Sequence, residues 1–358
     1  MTNYFSNTFE QARSRFVDAV QKAQGSLQSH PHAGRGPDGG TLSTEVAWFG
    51  PADASQVFVT VSGTHGVEGF FGSATQAAWV ERREFDRLPA DTAALMIHAI
   101  NPYGFAWLRR TNEDNVDLNR NWLDFTQPLP VNADYNELAD DLCPADWSAD
   151  SQKKTGARIM AWIQAHGAAA YQQAVSGGQW QHPRGLFYGG TGPSWSRRTM
   201  TEILQSRLAR ARRVTLLDFH TGLGPSGYAE PIIHHRRDDP GFVRIRSWIG
   251  AAATSVQGGG SISSEIRGDG LSAIPGLLPH AVVDAVSLEC GIRPIDEVAH
   301  GLRADAWLHA YGDPTSPEAA PLKELIRNAF HSDDPVWQGM ALGQGLAACR
   351  AAVNGLAL

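Results

Sequence analysis

Residues 109–122 read Arg-Arg-Thr-Asn-Glu-Asp-Asn-Val-Asp-Leu-Asn-Arg-Asn-Trp. Polar side chains dominate this stretch, although apolar residues flank it on both sides. Taken alone, such a segment is compatible with a hydrated loop. Its order of residue types becomes informative only together with the segments that surround it in the chain.

Four apolar runs elsewhere in the chain end abruptly in polar residues that could do chemistry. These ends are residues 63–68 (Gly-Thr-His-Gly-Val-Glu), 101–102 (Asn-Pro), 220–222 (His-Thr-Gly) and 289–291 (Glu-Cys-Gly). In open α/β sheets, ligands bind beyond the carboxyl ends of the strands. We therefore expect these distant polar groups to meet at one edge of a sheet.

The apolar runs themselves predict strands, and segments with helical periodicity lie between them. Strands alternating with helices predict an α/β layered architecture with a largely buried sheet. No repeat or low-complexity linker is visible, so residues 1–358 are predicted to form one catalytic domain with an insertion near 124–213. The predicted strands are 57–61, 94–100, 214–219 and 281–288; the predicted helices are 5–28, 69–85, 151–175, 196–211, 296–310 and 317–330; the predicted loops are 30–41, 124–150 and 255–276, the last containing Gly258-Gly259-Gly260 and expected to lie at the active site.

The bulk composition excludes several classes of function. The chain has 358 residues, 42% of them hydrophobic, which is enough to bury a large core. Its net charge of -7 is mild and spread along the chain, so no basic surface predicts nucleic-acid binding. No apolar stretch reaches the roughly 18 residues of a membrane span, so no membrane partner is expected.

The compartment is predicted from the N-terminus and the cysteines. The opening residues, Met-Thr-Asn-Tyr-Phe-Ser-Asn, lack a basic segment followed by an apolar one, so no secretory signal is visible. Cys143, Cys290 and Cys349 are far apart and cannot all pair. We therefore expect a cytoplasmic protein, and the oligomeric state stays open.

His65 and Glu68 are three positions apart at a predicted strand-to-helix turn, so both side chains could point at one centre. Zinc accepts imidazole and carboxylate donors, and a catalytic zinc takes three protein ligands and keeps the fourth position open. The alternative is structural: His65 caps a turn, and Glu68 is favoured by the helix dipole.

His220 is a candidate for a further ligand because it directly follows the strand predicted at 214–219. The alternative is an ordinary polar residue at a strand end. Asp218 lies two positions earlier, hence on the same face, and could orient the imidazole of His220. It could equally be a helix cap or a buried, hydrogen-bonded carboxylate.

The order of these motifs resembles the zinc carboxypeptidase family, which includes carboxypeptidase A and bacterial murein-tripeptide amidases. The resemblance covers residues 55–295 and is to an uncharacterised bacterial branch that carries a domain of unknown function. Its specific part is the run at 116–122, which begins six residues after an arginine. The matching positions are His65-x-x-Glu68, Asn101-Pro102-x-Gly104, Arg110, residues 116–122, His220 and Glu289.

The resemblance implies an α/β/α sandwich around a mixed, mostly eight-stranded twisted sheet, and a zinc metallopeptidase activity. His65, Glu68 and His220 would hold one Zn²⁺ ion per chain. Glu289 would act as the general base and acid, taking a proton from water and passing it to the leaving amine. A surface carboxylate at a strand end is the alternative for Glu289.

The resemblance also implies how substrate is bound. Arg110 corresponds to the arginine that polarises the scissile carbonyl, and its spacing to Val116 favours it over Arg109. Asn119 and Arg120 correspond to the pair that holds the terminal carboxylate, for which the planar fork of arginine is well suited. The alternative is that Arg120 pairs with an internal acid such as Asp117.

The sequence departs from the family's pattern at the tyrosine that normally caps the substrate. That tyrosine lies well after the third zinc ligand and before the catalytic glutamate. Here the only tyrosine within 221–288 is Tyr228, eight residues after His220. Tyr228 is therefore a candidate for substrate binding, unless another group caps the substrate. The region 124–213 has no counterpart that we could match.

Three functions follow as hypotheses. The first is hydrolysis of an amide bond in a short peptide with a free carboxylate. The second is deacylation of an N-acyl amino acid, resembling succinylglutamate desuccinylase and aspartoacylase, which the run Leu-Asp-Phe-His-Thr at 217–221 favours. The third is a non-catalytic binding module, although all expected ligands and Glu289 are present. The side-chain preference of the substrate stays open.

Overall fold

A mixed sheet of eight strands organises the chain. The computed structural model describes residues 3–256 and 260–357. The strands lie in the order β1-β2-β4-β3-β5-β8-β6-β7, which confirms the predicted eight-stranded α/β fold. Their bounds are β1 Ser26–Arg35, β2 Thr41–Phe49, β3 Gln56–Val61, β4 Thr92–His98, β5 Arg213–Gly222, β6 Ala229–Ile233, β7 Thr254–Ser255 and β8 Val282–Gly291.

The four central strands, β4, β3, β5 and β8, are parallel to one another. The antiparallel strands β2 and β6 flank them. A parallel sheet covered on both faces requires nearly continuous apolar strands, and this explains why these four carry the strongest strand signal in the sequence. Their carboxyl ends meet at one edge of the sheet.

Helices cover both faces of the sheet. One face packs against α1, α2, α8 and α12, and the other against α7 and α9. The helices are α1 Phe9–Lys22, α2 Gly69–Glu81, α3 Pro102–Ala106, α4 Ala133–Leu142, α5 Ala149–His166, α6 Ala168–Ser176, α7 Trp195–Arg207, α8 Pro240–Ile249, α9 Gly270–Leu277, α10 Ile295–Tyr311, α11 Ala320–Phe330 and α12 Pro335–Gly355. Within the described residues, none of them is long and apolar enough to cross a bilayer.

The N-terminal prediction was wrong in part. The helix predicted at 5–28 ends at Lys22, and β1 begins at Ser26, within the range expected to be helix and loop. The sequence of β1 is polar and contains Pro31 and Gly34, because this edge strand is largely exposed and pairs with β2 on one side only. Its backbone hydrogen bonds come from a partner strand, and local periodicity carries no signal for that pairing.

The helices α4, α5 and α6 form a small core of their own together with Leu186 and Phe187. The helix predicted at 151–175 is divided at Gly167, whose φ of +93° breaks the helical path. The assignment of 124–213 as an insertion stays a prediction. In the loop predicted at 255–276, α9 begins at Gly270, while Gly258 and Gly259 lie outside the described residues.

Candidate active site

The turn after β3 places the first two predicted ligands. Residues Gly66–Glu68 form a single 3₁₀ turn that lies against the segment 104–110. A Cβ atom on Gly66 would lie 2.0 Å from the carbonyl carbon of Gly104, so the two backbones can approach only without a side chain. The amide of Val67 donates to the carbonyl of Arg109 at 2.8 Å. This contact brings Arg110 beside Glu68.

His65, Glu68 and His220 come together as predicted, and their donor atoms lie within 4.8 Å of one another. The Nδ1 atom of His65 lies 3.0 Å from Oε1 of Glu68, and Nδ1 of His220 lies 3.0 Å from Oε2. All three side chains are almost completely buried. Two imidazoles and one carboxylate facing one point form a set of ligands that could hold a metal ion.

A carboxylate backs each of the two histidines. Nε2 of His65 lies 3.1 Å from Asp117, and Nε2 of His220 lies 2.9 Å from Asp218. An ionised carboxylate only accepts hydrogen bonds, so each Nε2 carries a proton and each Nδ1 presents a lone pair when the imidazole is neutral. The two Nδ1 atoms are 3.2 Å apart, a contact that is favourable only with a proton or a cation between them. The residues therefore fit a metal ion.

Titration of the ligands follows from their contacts. Burial by itself raises the pKa of Glu68, but His65, His220 and Arg110 outweigh it, so the pKa of Glu68 lies well below its usual range. Burial disfavours the charged form of His220, yet Asp218 and Glu68 raise the pKa of His220 well above its usual range. A cation bound between the imidazoles would compete with this proton.

Glu289 lies beside the ligands because β8 pairs in parallel with β5. His220 and Glu289 are register partners on these strands. One carboxylate oxygen of Glu289 accepts a hydrogen bond from the amide of Leu223 at 3.0 Å. Burial, together with the neighbouring carboxylate of Glu68, raises the pKa of Glu289 to about 7. A carboxylate with this pKa can take up and release a proton near neutral pH.

Arg110 and Arg109 point in different directions. Arg110 donates to Glu68 and to Asp117, each at 2.9 Å, so its guanidinium lies at the metal-ligand cluster. Arg109 lies 3.3 Å from Asp305 on α10 and bonds no metal ligand in the described part of the chain. The arginine favoured by spacing is thus the one that lies at the site.

Asn119 and Arg120 lie at the end of the same segment. The guanidinium of Arg120 donates to the backbone carbonyls of Ser176 and Asn119, and lies 3.7 Å from Asp117. These bonds use three of its five N–H groups. Burial lowers the pKa of Arg120 to about 10, so the side chain is charged at neutral pH. The internal pairing with Asp117 considered above is present as a longer contact.

Tyr228 lies between β5 and β6, where its carbonyl accepts a hydrogen bond from the amide of Gly291 at 3.0 Å. It is 41% exposed, unlike the buried ligands. Its role in substrate binding stays a prediction.

Thr64 and Phe187 also lie at the site, although the sequence predicted no role for either side chain. The hydroxyl of Thr64 donates to the carboxylate of Asp218 at 2.9 Å and helps to hold it against His220. The ring of Phe187 lies beside both Arg110 and Arg120. Thr64 directly precedes His65 and could have been suspected from that position, whereas no sequence signal connects Phe187 with the arginines.

Several solved structures align with this chain. A provisionally assigned carboxypeptidase from Burkholderia mallei ATCC 23344 aligns over 99% of this chain and 69% of its own, with a TM-score of 0.50 and 15% identity. Carboxypeptidase A from Helicoverpa armigera aligns over 99% and 75%, with a TM-score of 0.46 and 11% identity. An aspartoacylase family protein from Mesorhizobium loti aligns over 80% and 67%, with a TM-score of 0.39 and 15% identity.

The Burkholderia mallei structure shows that the predicted zinc-carboxypeptidase-like fold is correct. No curated protein matches the chain by sequence. A family profile described as "Protein of unknown function (DUF2817)" matches residues 5–344, nearly the whole chain, including every residue of the cluster. The chain is therefore a member of the DUF2817 family, built on a carboxypeptidase-like α/β fold.

Proposed function

We propose that the chain is a zinc-dependent hydrolase that cleaves an amide bond in a short peptide with a free carboxylate. The observation that carries this proposal is the facing pair of histidines, each backed by a buried aspartate, beside Glu68. Such backing fixes the tautomer and the direction of a metal-binding imidazole. Three protein donors leave the fourth position of one zinc ion open, as a catalytic site requires.

A bound zinc ion would polarise the scissile carbonyl and lower the pKa of the attacking water. Glu289 would take the proton from that water as the new C–O bond forms. It would then pass the proton to the nitrogen as the C–N bond breaks, which releases the acid and the amine. Burial supports this role because it raises the pKa of Glu289 to about 7.

The two arginines would hold different parts of the substrate. Arg110 has the more accessible side chain, 15% exposed against 4% for Arg120, and lies against Glu68. It would bind the carbonyl oxygen as negative charge develops there. Arg120, with Asn119, would bind the substrate carboxylate through the N–H groups that backbone carbonyls leave free.

A second candidate is deacylation of an N-acyl amino acid. The almost complete burial of Arg120, which is 3% exposed, favours a small substrate. The described end of the glycine-rich loop adds to this enclosure, because Gly268 packs against the backbone of Arg120. A peptide would have to displace part of this cover.

A substrate panel tests both candidates. It contains N-acetyl dipeptides and N-acetyl amino acids, each as the free acid and as the carboxamide. Zinc-loaded protein is expected to hydrolyse free acids and to spare the carboxamides, and chelation or His65→Ala should abolish turnover. Cleavage of N-acetyl amino acids alone would select the deacylase. Equal kcat/KM for acids and carboxamides would remove the carboxylate requirement, and absence of any zinc-dependent hydrolysis would refute the enzyme.

A further inference from the structure

Phe187 contacts both arginines of the proposed site. The guanidinium carbon of Arg110 lies 5.1 Å from the centroid of its ring, and that of Arg120 lies 5.2 Å from the same centroid. Both distances are within the range of a cation–π interaction. The side chain is 8% exposed, so little water screens these contacts.

The backbone of Phe187 has an unusual conformation. Its φ is +53°, in the left-handed region that bulky residues rarely adopt. Glycine would adopt this conformation without strain, but it has no aromatic ring to contact the two arginines. A strained residue persists only where its surroundings hold it, and such residues cluster at functional sites.

Hydrogen bonds hold the strained segment against the segment that carries the arginines. The carbonyl of Tyr188 accepts from the amide of Asp117 at 2.8 Å, and the carbonyl of Gly189 accepts from the side chain of Asn121 at 2.8 Å. The carbonyl of Phe187 itself accepts from Gln179 at 3.2 Å. The backbone of Tyr188 and Gly189 thus fixes the position of Phe187 relative to residues 117–121.

The arginines need such support because they are like charges close together. Arg110 also bonds Glu68 and Asp117, whereas Arg120 bonds mostly neutral backbone carbonyls. The electron-rich face of an aromatic ring attracts a guanidinium without neutralising it. A carboxylate in place of Phe187 would occupy the N–H groups that the substrate needs.

We infer that Phe187 is a positioning residue that holds Arg110 and Arg120 for the carbonyl and the carboxylate of one substrate. This inference rests on the proposed function. The alternative is a purely structural role, in which Phe187 only packs in the small core that it shares with Leu186 and Leu138. Leucine at position 187 would satisfy that packing role, whereas it cannot provide the aromatic face.

The test compares Phe187→Leu with Phe187→Tyr, which keeps the ring. Phe187→Leu should lower kcat/KM for free-acid substrates about tenfold, a loss expected from two cation–π contacts. The loss for carboxamides should be smaller, because Arg120 does not engage them. Phe187→Tyr should stay within about twofold of wild type, and both variants should keep full zinc content and remain folded, with Tm lowered by about 1–3 °C at most.

A second readout needs no substrate. Phenylglyoxal modification of Arg110 and Arg120, followed by mass spectrometry, should proceed several-fold faster in Phe187→Leu than in wild type. Phe125→Leu is the matched control, because Phe125 lies under Arg197 at 5.4 Å, outside the cluster. That control should leave Arg110 and Arg120 at wild-type rates.

Unchanged modification rates in Phe187→Leu would overturn the inference, as would equal losses of activity in the leucine and tyrosine variants. Faster modification, combined with wild-type protein that does not distinguish acids from carboxamides, would uphold Phe187 as a positioning residue. That same result would reject the carboxylate requirement of the proposed function.

Discussion

Glu289 lies beside the proposed metal ligands, and its carboxylate is withdrawn from water. Its carboxylate has a pKa of about 7 because burial and Glu68 both disfavour its charge. The hydrogen bond from Leu223 and the nearby His220 lower the pKa of Glu289 and so limit the rise that burial causes. A fully exposed glutamate would have an ordinary, low pKa and would be a weaker base. The residue is therefore suited to exchanging a proton during turnover.

Replacing Glu289 by Gln should leave zinc content unchanged and reduce kcat roughly 10²–10⁴-fold, since glutamine preserves shape but cannot accept a proton. Elemental analysis and steady-state kinetics on the same preparation measure both quantities. Glu265→Gln, in the loop near α6, is the control and should remain active. Near-normal turnover of Glu289→Gln with full zinc occupancy would mean that another group is the base.

The same residue predicts the pH dependence. A general base works only when ionised, so kcat/KM should fall as the pH drops through the pKa of Glu289. That pKa is about 7 without metal, and a bound cation lowers it further, which places the acid limb below pH 7. Zinc content must be measured across the same range. An acid limb that follows zinc loss alone would contradict this assignment.

Arg120→Lys keeps the charge and loses the planar guanidinium that donates two parallel hydrogen bonds to a carboxylate. One charge-assisted bond contributes about 1.5–3 kcal/mol, so kcat/KM for free acids should fall about 10–100-fold. Carboxamides should be affected less. Arg197→Lys, outside the ligand cluster, is the control for general damage. Equal effects on acids and carboxamides would place Arg120 in the scaffold only.

At the scale of elements, alternate residues of β5 and β8 form three successive pairs on one face of the sheet, and the last pair lies at the site. Their register pairs Leu216 with Ala285, Asp218 with Ser287, and His220 with Glu289. The first pair, Leu216 and Ala285, belongs to the core, and the second pair is polar. The third pair consists of His220, a proposed metal ligand, and Glu289, the proposed base. The two-residue period of a strand thus places Asp218 directly behind His220.

Asp218→Asn should therefore weaken zinc binding about 10–100-fold, because the amide cannot hold the imidazole as a carboxylate does. Competition with a chelator of known affinity measures the change. Asp284→Asn is the matched control: it lies on β8, is equally buried and bonds Arg244 at 2.8 Å. That variant should lose stability and keep its zinc affinity. Similar affinity losses in both would point to a general effect of the sheet.

For the whole molecule, the three proposed metal ligands come from segments far apart in the chain. His65 and Glu68 follow β3, and His220 belongs to β5, about 150 residues later. A cation that joins them binds the folded chain and not the unfolded one. The proposed metal binding would therefore be linked to folding.

Removal of zinc should lower Tm by about 3–4 °C relative to protein with free zinc at about 100 times its Kd. Binding at that concentration contributes about 2.7 kcal/mol, which is spread over the large unfolding entropy of a chain of this size. Differential scanning calorimetry with and without chelator measures the shift. The His65→Ala variant should show no response to zinc. The same Tm with and without chelator in wild type would exclude a tight structural linkage.

The sequence by itself was sufficient for the central strands and for the order of the ligands. The strands β3, β4, β5 and β8 are largely buried on both faces, so apolar residues dominate each of them and make it visible locally. The proposed ligands also lie close to strand ends: His65 and Glu68 follow β3, and His220 lies near the end of β5. Their identity and spacing matched a known pattern, and the structure brings His65, Glu68 and His220 together.

The tertiary structure alone decided the edge strand β1, the pairing of Asp117 with His65, the pairing of Arg109 with Asp305, and the place of Phe187. Each of these depends on a partner that is distant in the chain: β2 for the backbone of β1, Asp305 for Arg109, and the hydrogen bonds of residues 187–189 for the aromatic ring. Local periodicity of apolar residues indicates which residues are buried, but it does not indicate which distant residue each of them contacts. The spacing to Val116 favoured Arg110 for the site through the family resemblance, but local periodicity cannot report that Arg109 pairs with an acid on α10, because that partner comes close only when the chain has folded.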